Sequence, residues 1–207
     1  MPLSPGDKLG PYKILAELGA GGMGEVYRAR DPRLHREVAI KVSKQRFSGR
    51  FEREACAAAA LNHPNTCRLY DLGPDYLVMD LVEGETLAAR LRRGALKPDQ
   101  ALALAIQIAD ALTEAHGKGV VHRDLKPANI MLGKAGAKVP DFGLAKMEQA
   151  VTDSQPTVTM TAEGTVLGTV QYMSPEQAQG KETDARSDIF SFGLVLYEMR
   201  FVVWRFR

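Results

Sequence analysis

The 207-residue chain has little cysteine, few aromatic residues and no strong excess of either charge. Its two cysteines, Cys56 and Cys67, have no histidine or cysteine neighbours at metal-ligand spacing, which argues against a zinc site. Reduced thiols of this kind are typical of cytoplasmic proteins. The sequence therefore favours a cytoplasmic location.

Charge of one sign is also lacking, because 27 lysines and arginines face 25 acidic residues, giving a net charge of +2 and a pI near 8.5. That excess is too small to indicate nucleic-acid binding, and no basic stripe is interleaved with aromatic residues. Short basic clusters such as Arg90, Arg92 and Arg93 are more typical of a solvated helix face. We predict no nucleic-acid partner.

Long hydrophobic runs are scarce as well. The longest, residues 189–204, is interrupted by Glu198 and Arg200 and falls short of the ~20 apolar residues that a membrane span needs. We predict that most of it is a buried helix and that the chain has no membrane span. Residues 1–11 lack the pattern of a signal peptide and are predicted to be a short leader.

Residues 122–129, His-Arg-Asp-Leu-Lys-Pro-Ala-Asn, place several chemically different polar groups close together. Asp124 can accept a proton, Lys126 can hold an anionic oxygen and Asn129 can ligate a metal. Such a set suits phosphoryl transfer, in which positioning and charge neutralisation supply most of the catalysis. Each residue alone would fit a polar surface turn, but the ordered set favours a catalytic loop.

This octapeptide resembles the catalytic loop of eukaryotic-like (Hanks-type) serine/threonine protein kinases, with a bacterial character. The resemblance implies an α+β, bilobal fold, with an antiparallel β-sheet and helix C in the N-lobe and a mainly helical C-lobe. It implies that Asp124 orients the substrate hydroxyl and accepts its proton, that Lys126 neutralises the γ-phosphoryl, and that Asn129 binds magnesium. A lysine two residues after the aspartate is typical of serine/threonine rather than tyrosine specificity.

A glycine-rich segment follows a predicted strand near the start of the chain. Residues 12–18 alternate between apolar and polar side chains, as in a half-buried strand. Its buried face would carry Tyr12, Ile14, Ala16 and Leu18. Residues 19–24, Gly-Ala-Gly-Gly-Met-Gly, have the spacing that lets backbone N–H groups approach phosphate closely. The spacing also fits a dinucleotide-binding unit or a plain hairpin turn, but residues 25–29 are β-prone and favour a strand-glycine-strand lid.

Residues 38–42, Val-Ala-Ile-Lys-Val, predict another strand, with Ala39 and Lys41 on one face. By resemblance this face lines the nucleotide, where Ala39 leaves room for the base and Lys41 reaches the α- and β-phosphates. The alternative is a surface lysine on an exposed strand.

The alanine-rich residues 51–61 predict a helix that ends before Pro64. The resemblance implies that Glu54 is the glutamate of helix C that forms an ion pair with Lys41. Glu52 is the competing residue, but two positions away on a helix it points elsewhere.

Residues 67–72 and 76–81 predict two strands. The resemblance implies that residues 80–82 form a hinge whose backbone groups make hydrogen bonds to the edge of the adenine ring. Met79 would be the gatekeeper before it. The full set of nucleotide contacts implied by the resemblance is Leu18, Gly19, Gly21, Gly22, Gly24, Val26, Ala39, Lys41, Met79, Asp80, Val82 and Met131.

The apolar positions of residues 98–116 recur with helical spacing and predict an amphipathic helix that braces the catalytic loop. Residues 130–139 predict a small hairpin that leads into Asp-Phe-Gly at 141–143. By resemblance Asp141 holds the magnesium that bridges the β- and γ-phosphates. Pro140 departs from the family pattern, and its missing N–H donor is expected to weaken the strand that enters the metal site.

Residues 146–166 are rich in hydroxyl groups and have little apolar periodicity. Their position between Asp-Phe-Gly and Ser-Pro-Glu at 174–176 resembles an activation segment. We hypothesise that phosphorylation adds about −1.5 to −2 of charge there, with which Arg123 would pair. The candidate acceptors are Thr152, Ser154, Thr157, Thr159, Thr161 and Thr165.

Residues 187–193 open a helix that is apolar nearly all round, as expected of a core helix. By resemblance its one carboxylate, Asp188, holds the backbone of residues 122–124, and a buried charge needs such hydrogen bonds. The family pattern breaks after Met199, so an incomplete C-lobe is expected. Glu176 would then lack its usual arginine, for which the available substitutes are Arg200, Arg205 and Arg207.

The predicted organisation is a leader at 1–11, an N-lobe at 12–82, a partial C-lobe at 83–199 and a basic, aromatic tail at 200–207. Two functions remain open. The first is an ATP-dependent serine/threonine protein kinase that uses Mg²⁺ or Mn²⁺, phosphorylates proteins and itself, and acts in signal transduction. The alternative is a catalytically weak or inactive nucleotide-binding or regulatory module that needs a partner to complete its C-lobe. The oligomeric state stays open.

Overall fold

The computed structural model describes residues 2–21, 24–43, 46–142 and 170–201. The chain divides into two compact units, the first formed by Met1–Asn62 and Cys67–Val82 and the second by His63–Thr66 and Glu83–Arg207. The first unit is mainly β-sheet and the second mainly helical, so the predicted α+β class is confirmed.

The first unit contains one antiparallel sheet and one helix. Its strands are β1 (Lys8–Leu9), β2 (Tyr12–Gly21), β3 (Gly24–Asp31), β4 (Arg36–Val42), β5 (Leu69–Leu72) and β6 (Tyr76–Asp80). They lie in the order β1-β2-β3-β4-β6-β5. Helix α1 (Gly49–Ala59) begins after Ser48, whose hydroxyl accepts a hydrogen bond from Phe51 N–H at 3.4 Å. The helix predicted from the alanine-rich run is confirmed and starts two residues earlier than expected.

The sheet buries an apolar face to which alternate residues of β3 and β4 contribute. Its core is made of Tyr12, Ile14, Tyr27, Ala29, Val38, Ile40, Tyr76 and Val78. One expectation is wrong: Leu18, predicted on the buried face of β2, is 51% exposed. The register of β2 against β3 shifts between Ile14 and Ala16 and again between Glu17 and Gly19, and these irregularities break the alternation that the prediction assumed.

Residues predicted to be a short leader form part of this sheet. They contribute β1, which pairs with β2. The N–H of Leu3 donates to the Tyr27 hydroxyl at 3.0 Å, and the N–H of Gly6 donates to the Ile14 carbonyl at 2.9 Å. Leu3 also packs against the apolar core, so the segment covers one end of it.

The second unit contains a small sheet and four helices among its described residues. The strands are β7 (Gly84–Thr86), β8 (Met131–Gly133) and β9 (Gly136–Lys138), and the helices are α2 (Leu87–Leu91), α3 (Pro98–Gly117), α4 (Pro175–Ala178) and α5 (Ala185–Phe201). The predicted amphipathic helix is α3. Its buried positions have helical spacing and are Ala101, Ala105, Ile108, Ala111, Leu112 and Ala115.

Helix α5 departs from the prediction of a helix buried nearly all round. It buries one stripe, formed by Ser187, Asp188, Ser191, Val195 and Met199. It exposes Ile189, Phe190, Leu196, Tyr197 and Phe201. Within the described ranges, the neighbours of α5 include α3 and a 3₁₀ turn at Val170–Tyr172. None of the helices in those ranges is both long and apolar enough to span a membrane.

A short segment, His63–Thr66, belongs to the second unit although it lies within the stretch predicted as N-lobe. Asn65 Nδ2 donates to the Ala137 carbonyl at 2.7 Å, and the N–H of Val139 donates to the Asn65 carbonyl at 2.8 Å. Thr66 and Val139 form a parallel bridge. These bonds attach the segment to the hairpin that precedes Asp141.

The buried face of the first sheet makes a stability prediction. Ile40 is fully buried, so Ile40→Ala should lower the free energy of unfolding by about 2–5 kcal/mol, since it removes apolar contacts and leaves a cavity. Chemical denaturation of the variant and the wild type measures the difference. Ile106→Ala is the control, because Ile106 is 54% exposed on α3. Equal losses in both variants would contradict the assigned core.

Candidate active site

Asp124, Lys126 and Asn129 come together as the sequence predicted. Lys126 Nζ lies 3.0 Å from Asp124 Oδ1 and 2.8 Å from Oδ2. Asn129 Nδ2 donates to the backbone carbonyl of Asp124 and to its Oδ2, both at 2.8 Å. A 3₁₀ turn at Pro127–Asn129 brings the amide back toward the aspartate. The carboxylate is therefore held between an ammonium group and an amide.

The backbone just before Asp124 is held by Asp188 from α5. Asp188 Oδ2 accepts from His122 N–H and Oδ1 accepts from Arg123 N–H, both at 2.8 Å. Oδ2 also lies 2.7 Å from His116 Nε2 on α3. These contacts agree with the architectural role that the resemblance assigned to Asp188.

The electrostatics of Asp188 follow from these contacts. Its side chain is 1% exposed, and burial by itself would raise the pKa of the carboxyl. Hydrogen bonds from His116 and from the two backbone N–H groups outweigh burial and hold the pKa of Asp188 below its ordinary value. The group is therefore a carboxylate at neutral pH, and it has the partners that a buried charge requires.

His122 connects Asp124 with the segment that carries Asp141. The ring is fully buried, and burial lowers the pKa of His122, so the neutral imidazole is favoured. Nδ1 accepts from Asp124 N–H at 3.2 Å, and Nε2 lies 3.0 Å from the Pro140 carbonyl, to which the neutral ring can donate. The ring also packs edge-on against Phe142, with centroids 5.0 Å apart.

Pro140 lies just beyond the hairpin, and the expected weakening of the strand that enters the metal site stays a prediction. Strand β9 ends at Lys138, two residues earlier, so the ladder with β8 needs no donor at position 140. The carbonyl of Pro140 is used instead, by His122. Asp141 follows with a positive φ of 62°, an uncommon backbone conformation for a residue with a side chain.

In the first unit, strand register places four predicted nucleotide contacts on one face. Val26 lies opposite Lys41, and Ala39 lies opposite Met79. Ala39 and Met79 are buried, whereas Val26 and Lys41 are half-buried. Because side chains alternate along a strand, the apolar core occupies the opposite face. The predicted nucleotide side is thus separate from the core side.

The glycines of the predicted lid are not equivalent. Gly24 has φ +116°, and a Cβ there would lie 2.0 Å from the Val42 carbonyl oxygen, so only glycine fits. At Gly19 a Cβ would meet nothing within 4 Å, so local packing does not require glycine there. Gly21 ends β2, while Gly22 lies outside the described residues.

The remaining predicted contacts lie at several positions. Glu54 is half-buried on α1, whereas its competitor Glu52 is exposed, and the choice of Glu54 stays a prediction. Asp80 ends β6, and its carboxylate accepts hydrogen bonds from the Arg68 N–H and the Tyr70 hydroxyl. Two more of the predicted nucleotide contacts are half-buried, namely Val82 and Met131.

A further group of predicted residues lies outside the described ranges. These are Gly143 and all the hydroxyl-bearing candidates for phosphorylation in the activation segment. The phosphorylation hypothesis therefore stays a prediction.

At the end of that segment, Glu176 accepts a hydrogen bond from the Ser187 hydroxyl at 2.5 Å, which lowers the pKa of Glu176. Arg200, one of the suggested arginine partners, instead donates to the Leu96 carbonyl at 2.9 Å. The other two, Arg205 and Arg207, lie outside the described residues.

Sequence reasoning missed Gln177. Its amide Nε2 donates to the Arg123 carbonyl at 2.6 Å. Ser174 and Gln177 also form a capping box at the start of α4. The pattern Ser-x-x-Gln is a known sign of such a cap, but nothing local in the sequence predicts the bond to Arg123.

The buried Asp188 makes a prediction for stability and its pH dependence. Asp188→Asn should lower the free energy of unfolding at pH 7 by about 3–5 kcal/mol, because the loop N–H groups and His116 lose a charged acceptor. Since the folded pKa of Asp188 is lowered, the carboxylate stabilises the fold above the unfolded pKa of about 4 and loses this effect as pH falls below it.

Denaturant unfolding of wild type and variant across pH measures the difference between their free energies of unfolding. This difference should become smaller as the pH falls. Asp110→Asn, on the exposed side of α3, is the control and should change stability by less than about 0.5 kcal/mol. A difference in the free energy of unfolding that stays constant down to pH 3 would show that the charge of Asp188 does not cause the loss of stability.

Comparison with known proteins identifies the family. A model described as "Protein kinase domain" matches residues 12–207. A probable serine/threonine-protein kinase of Streptomyces coelicolor is 47% identical over 206 residues, covering 92% of this chain and 30% of that protein. Serine/threonine-protein kinase PknB of Mycobacterium tuberculosis is 46% identical over 204 residues, covering 91% of this chain and 32% of that protein. The chain thus spans about a third of the length of these curated relatives.

Solved structures agree with this match. The crystal structure of the C20A mutant of the Mycobacterium tuberculosis PknI kinase domain has a TM-score of 0.76 and 29% sequence identity, covering 96% of this chain and 77% of that chain. The fold is therefore kinase-like, as the resemblance implied. The chain belongs to the protein kinase domain family and is similar to its bacterial serine/threonine members.

Proposed function

We propose that this chain transfers the γ-phosphoryl group of ATP to serine and threonine hydroxyls of proteins, including its own. Membership of the family implies ATP as the phosphoryl donor and a divalent metal ion. The observation that carries the proposal is the arrangement of Asp124, with Lys126 and Asn129 within hydrogen-bonding distance of its carboxylate.

Each of these side chains suits one part of the reaction. Asp124 orients the incoming hydroxyl and accepts its proton, while its carboxylate is held in place from both sides. Lys126 supplies a positive charge next to that position, where negative charge on the transferred phosphoryl group needs to be neutralised. The loop backbone is fixed by Asp188, so little reorganisation is needed during the reaction.

The residues present fit a magnesium or manganese ion. Both nitrogen-bound hydrogens of the Asn129 amide are directed at Asp124, which leaves its carbonyl oxygen as the atom for a metal. Asp141 adds a carboxylate, and hard oxygen donors of this kind suit Mg²⁺. When bound, the ion neutralises phosphate charge and orients the γ-phosphoryl group.

For the nucleotide, we assign the sheet face of the first unit that carries Ala39 and Lys41. The small side chain of Ala39 admits the flat base, and the ammonium group of Lys41 binds the α- and β-phosphates, with Glu54 setting its reach. The other proposed contacts are Leu18, Gly19, Gly21, Gly22, Gly24, Val26, Met79, Asp80, Val82 and Met131.

A second function, a nucleotide-binding or regulatory module with little catalysis, is favoured by one observation. Helix α5 exposes five large apolar side chains, which a partner protein would cover. For either function we propose a cytoplasmic location, where ATP is available and where the thiols of Cys56 and Cys67 would stay reduced.

Phosphoryl transfer is tested with labelled ATP and Mg²⁺, using the chain itself and a general protein substrate. The wild type should label serine and threonine only, and Asp124→Asn should lower kcat about 10²–10⁴-fold because the hydroxyl loses its base. Lys41→Met should abolish labelling. Phosphopeptide mapping then shows whether the acceptors include the threonines of residues 152–165.

A thermal melt of every variant serves as the control for folding. If the folded wild type binds ATP but transfers no phosphate, the regulatory module replaces the kinase as the function. Labelling of tyrosine would contradict the specificity assigned from Lys126.

The metal assignment predicts a separate result. Chelation of divalent ions should stop transfer, and Asp141→Asn should raise the Mg²⁺ concentration needed for half-maximal activity at least about tenfold, since one of two protein ligands is lost. The same variant should show a smaller Mg²⁺-dependent rise in Tm with a non-hydrolysable ATP analogue. Asp110→Asn is the matched control. An unchanged Mg²⁺ requirement in Asp141→Asn would remove Asp141 from the site.

A further inference from the structure

The amide of Gln177 lies between helix α4 and the catalytic loop, and both of its polar ends have partners. Oε1 accepts from Ser174 N–H at 3.0 Å, as part of the capping box. Nε2 donates at 2.6 Å to the carbonyl of Arg123, which lies 54 residues earlier in the chain. The cap explains only the first of these bonds. The second reaches the residue immediately before Asp124.

Arg123 has an unfavourable backbone conformation that needs support. Its φ is +69°, in the left-handed region, which is unfavourable for a residue with a Cβ. Asp188 on α5 holds the N–H of Arg123 at 2.8 Å, and Gln177 on α4 holds its carbonyl. The peptide planes on both sides of Arg123 are therefore fixed, each by a side chain from a different helix.

We propose that Gln177 is a positioning residue for phosphoryl transfer. By holding the Arg123 carbonyl, it fixes the peptide plane from which Asp124 projects, so the placement of the catalytic carboxylate depends on α4 as well as α5. This inference rests on the proposed kinase function. It explains the residue type at position 177: glutamate and glutamine complete a capping box equally well, but only glutamine also donates to a carbonyl.

The difference between these two residue types gives the test. Gln177→Glu keeps an acceptor for the Ser174 N–H and removes the donor to Arg123. Gln179→Glu makes the same change of charge two residues later, at an exposed side chain. We expect Gln177→Glu to lower kcat about tenfold with little change in the KM for Mg-ATP, because misplacement of a catalytic group affects the chemical step. Gln179→Glu should behave like the wild type, and both variants should melt near the wild-type Tm.

Three outcomes would overturn the proposal. The first is an unchanged kcat in Gln177→Glu. The second is an equal fall of kcat in both variants, which would indicate a general effect of charge. The third is a loss of Tm in Gln177→Glu that accounts for the whole loss of activity, which would leave only a capping role.

Amide hydrogen exchange separates this inference from the proposed function. If Gln177 positions the loop, the amides of Arg123 and Asp124 exchange faster in Gln177→Glu than in Gln179→Glu, whether or not the wild type transfers phosphate. Equal exchange in the two variants would overturn the inference. An inactive wild type with this difference in exchange would overturn the kinase function alone and would leave Gln177 as a residue that orders the loop.

Discussion

The arrangement of the catalytic loop depends on one buried carboxylate. Asp188 lies on α5 at 1% exposure, where an unpaired negative charge would be strongly destabilising. It is tolerated because His116 and the N–H groups of His122 and Arg123 surround it. The same bonds give those N–H groups a charged acceptor, which is stronger than a neutral one. Helix α5 and the loop therefore stabilise each other, and neither can move without leaving the other with unsatisfied polar groups.

In its neutral state, His122 links the catalytic loop by hydrogen bonds to the segment that leads into Asp141. A neutral imidazole can accept from the Asp124 N–H and donate to the Pro140 carbonyl at the same time. A protonated ring carries two donors, one of which would face the Asp124 N–H. Burial lowers the pKa of His122 and so favours the one protonation state that satisfies both neighbours.

Sequence reasoning succeeded where the information is local. Asp124, Lys126 and Asn129 lie within six positions, so a single turn brings them together, and α3 follows from its periodicity. It failed where distant segments decide the outcome. The exposure of Leu18 depends on the irregular register of β2.

Long-range contacts account for the other gaps. The attachment of His63–Thr66 to the second unit and the bond from Gln177 to Arg123 join residues more than 50 positions apart. Periodicity reports what a segment can bury, but it does not report which segment will cover it. Helix α5 shows this limit, because its sequence is apolar on several faces and the described structure buries only one.

In the first unit, the apolar core fixes the strand register and so determines which side chains lie on the opposite face of the sheet. Ile40 lies opposite Tyr27 and Val78 across the three central strands, and all three side chains are fully buried. Because side chains alternate, a slip of one residue in β4 would turn these core positions outward and direct Lys41 into the apolar layer. Burying its ammonium group there would cost several kcal/mol, so the correct register is strongly favoured. The core thus specifies which face Lys41 occupies, although no core residue takes part in the proposed reaction.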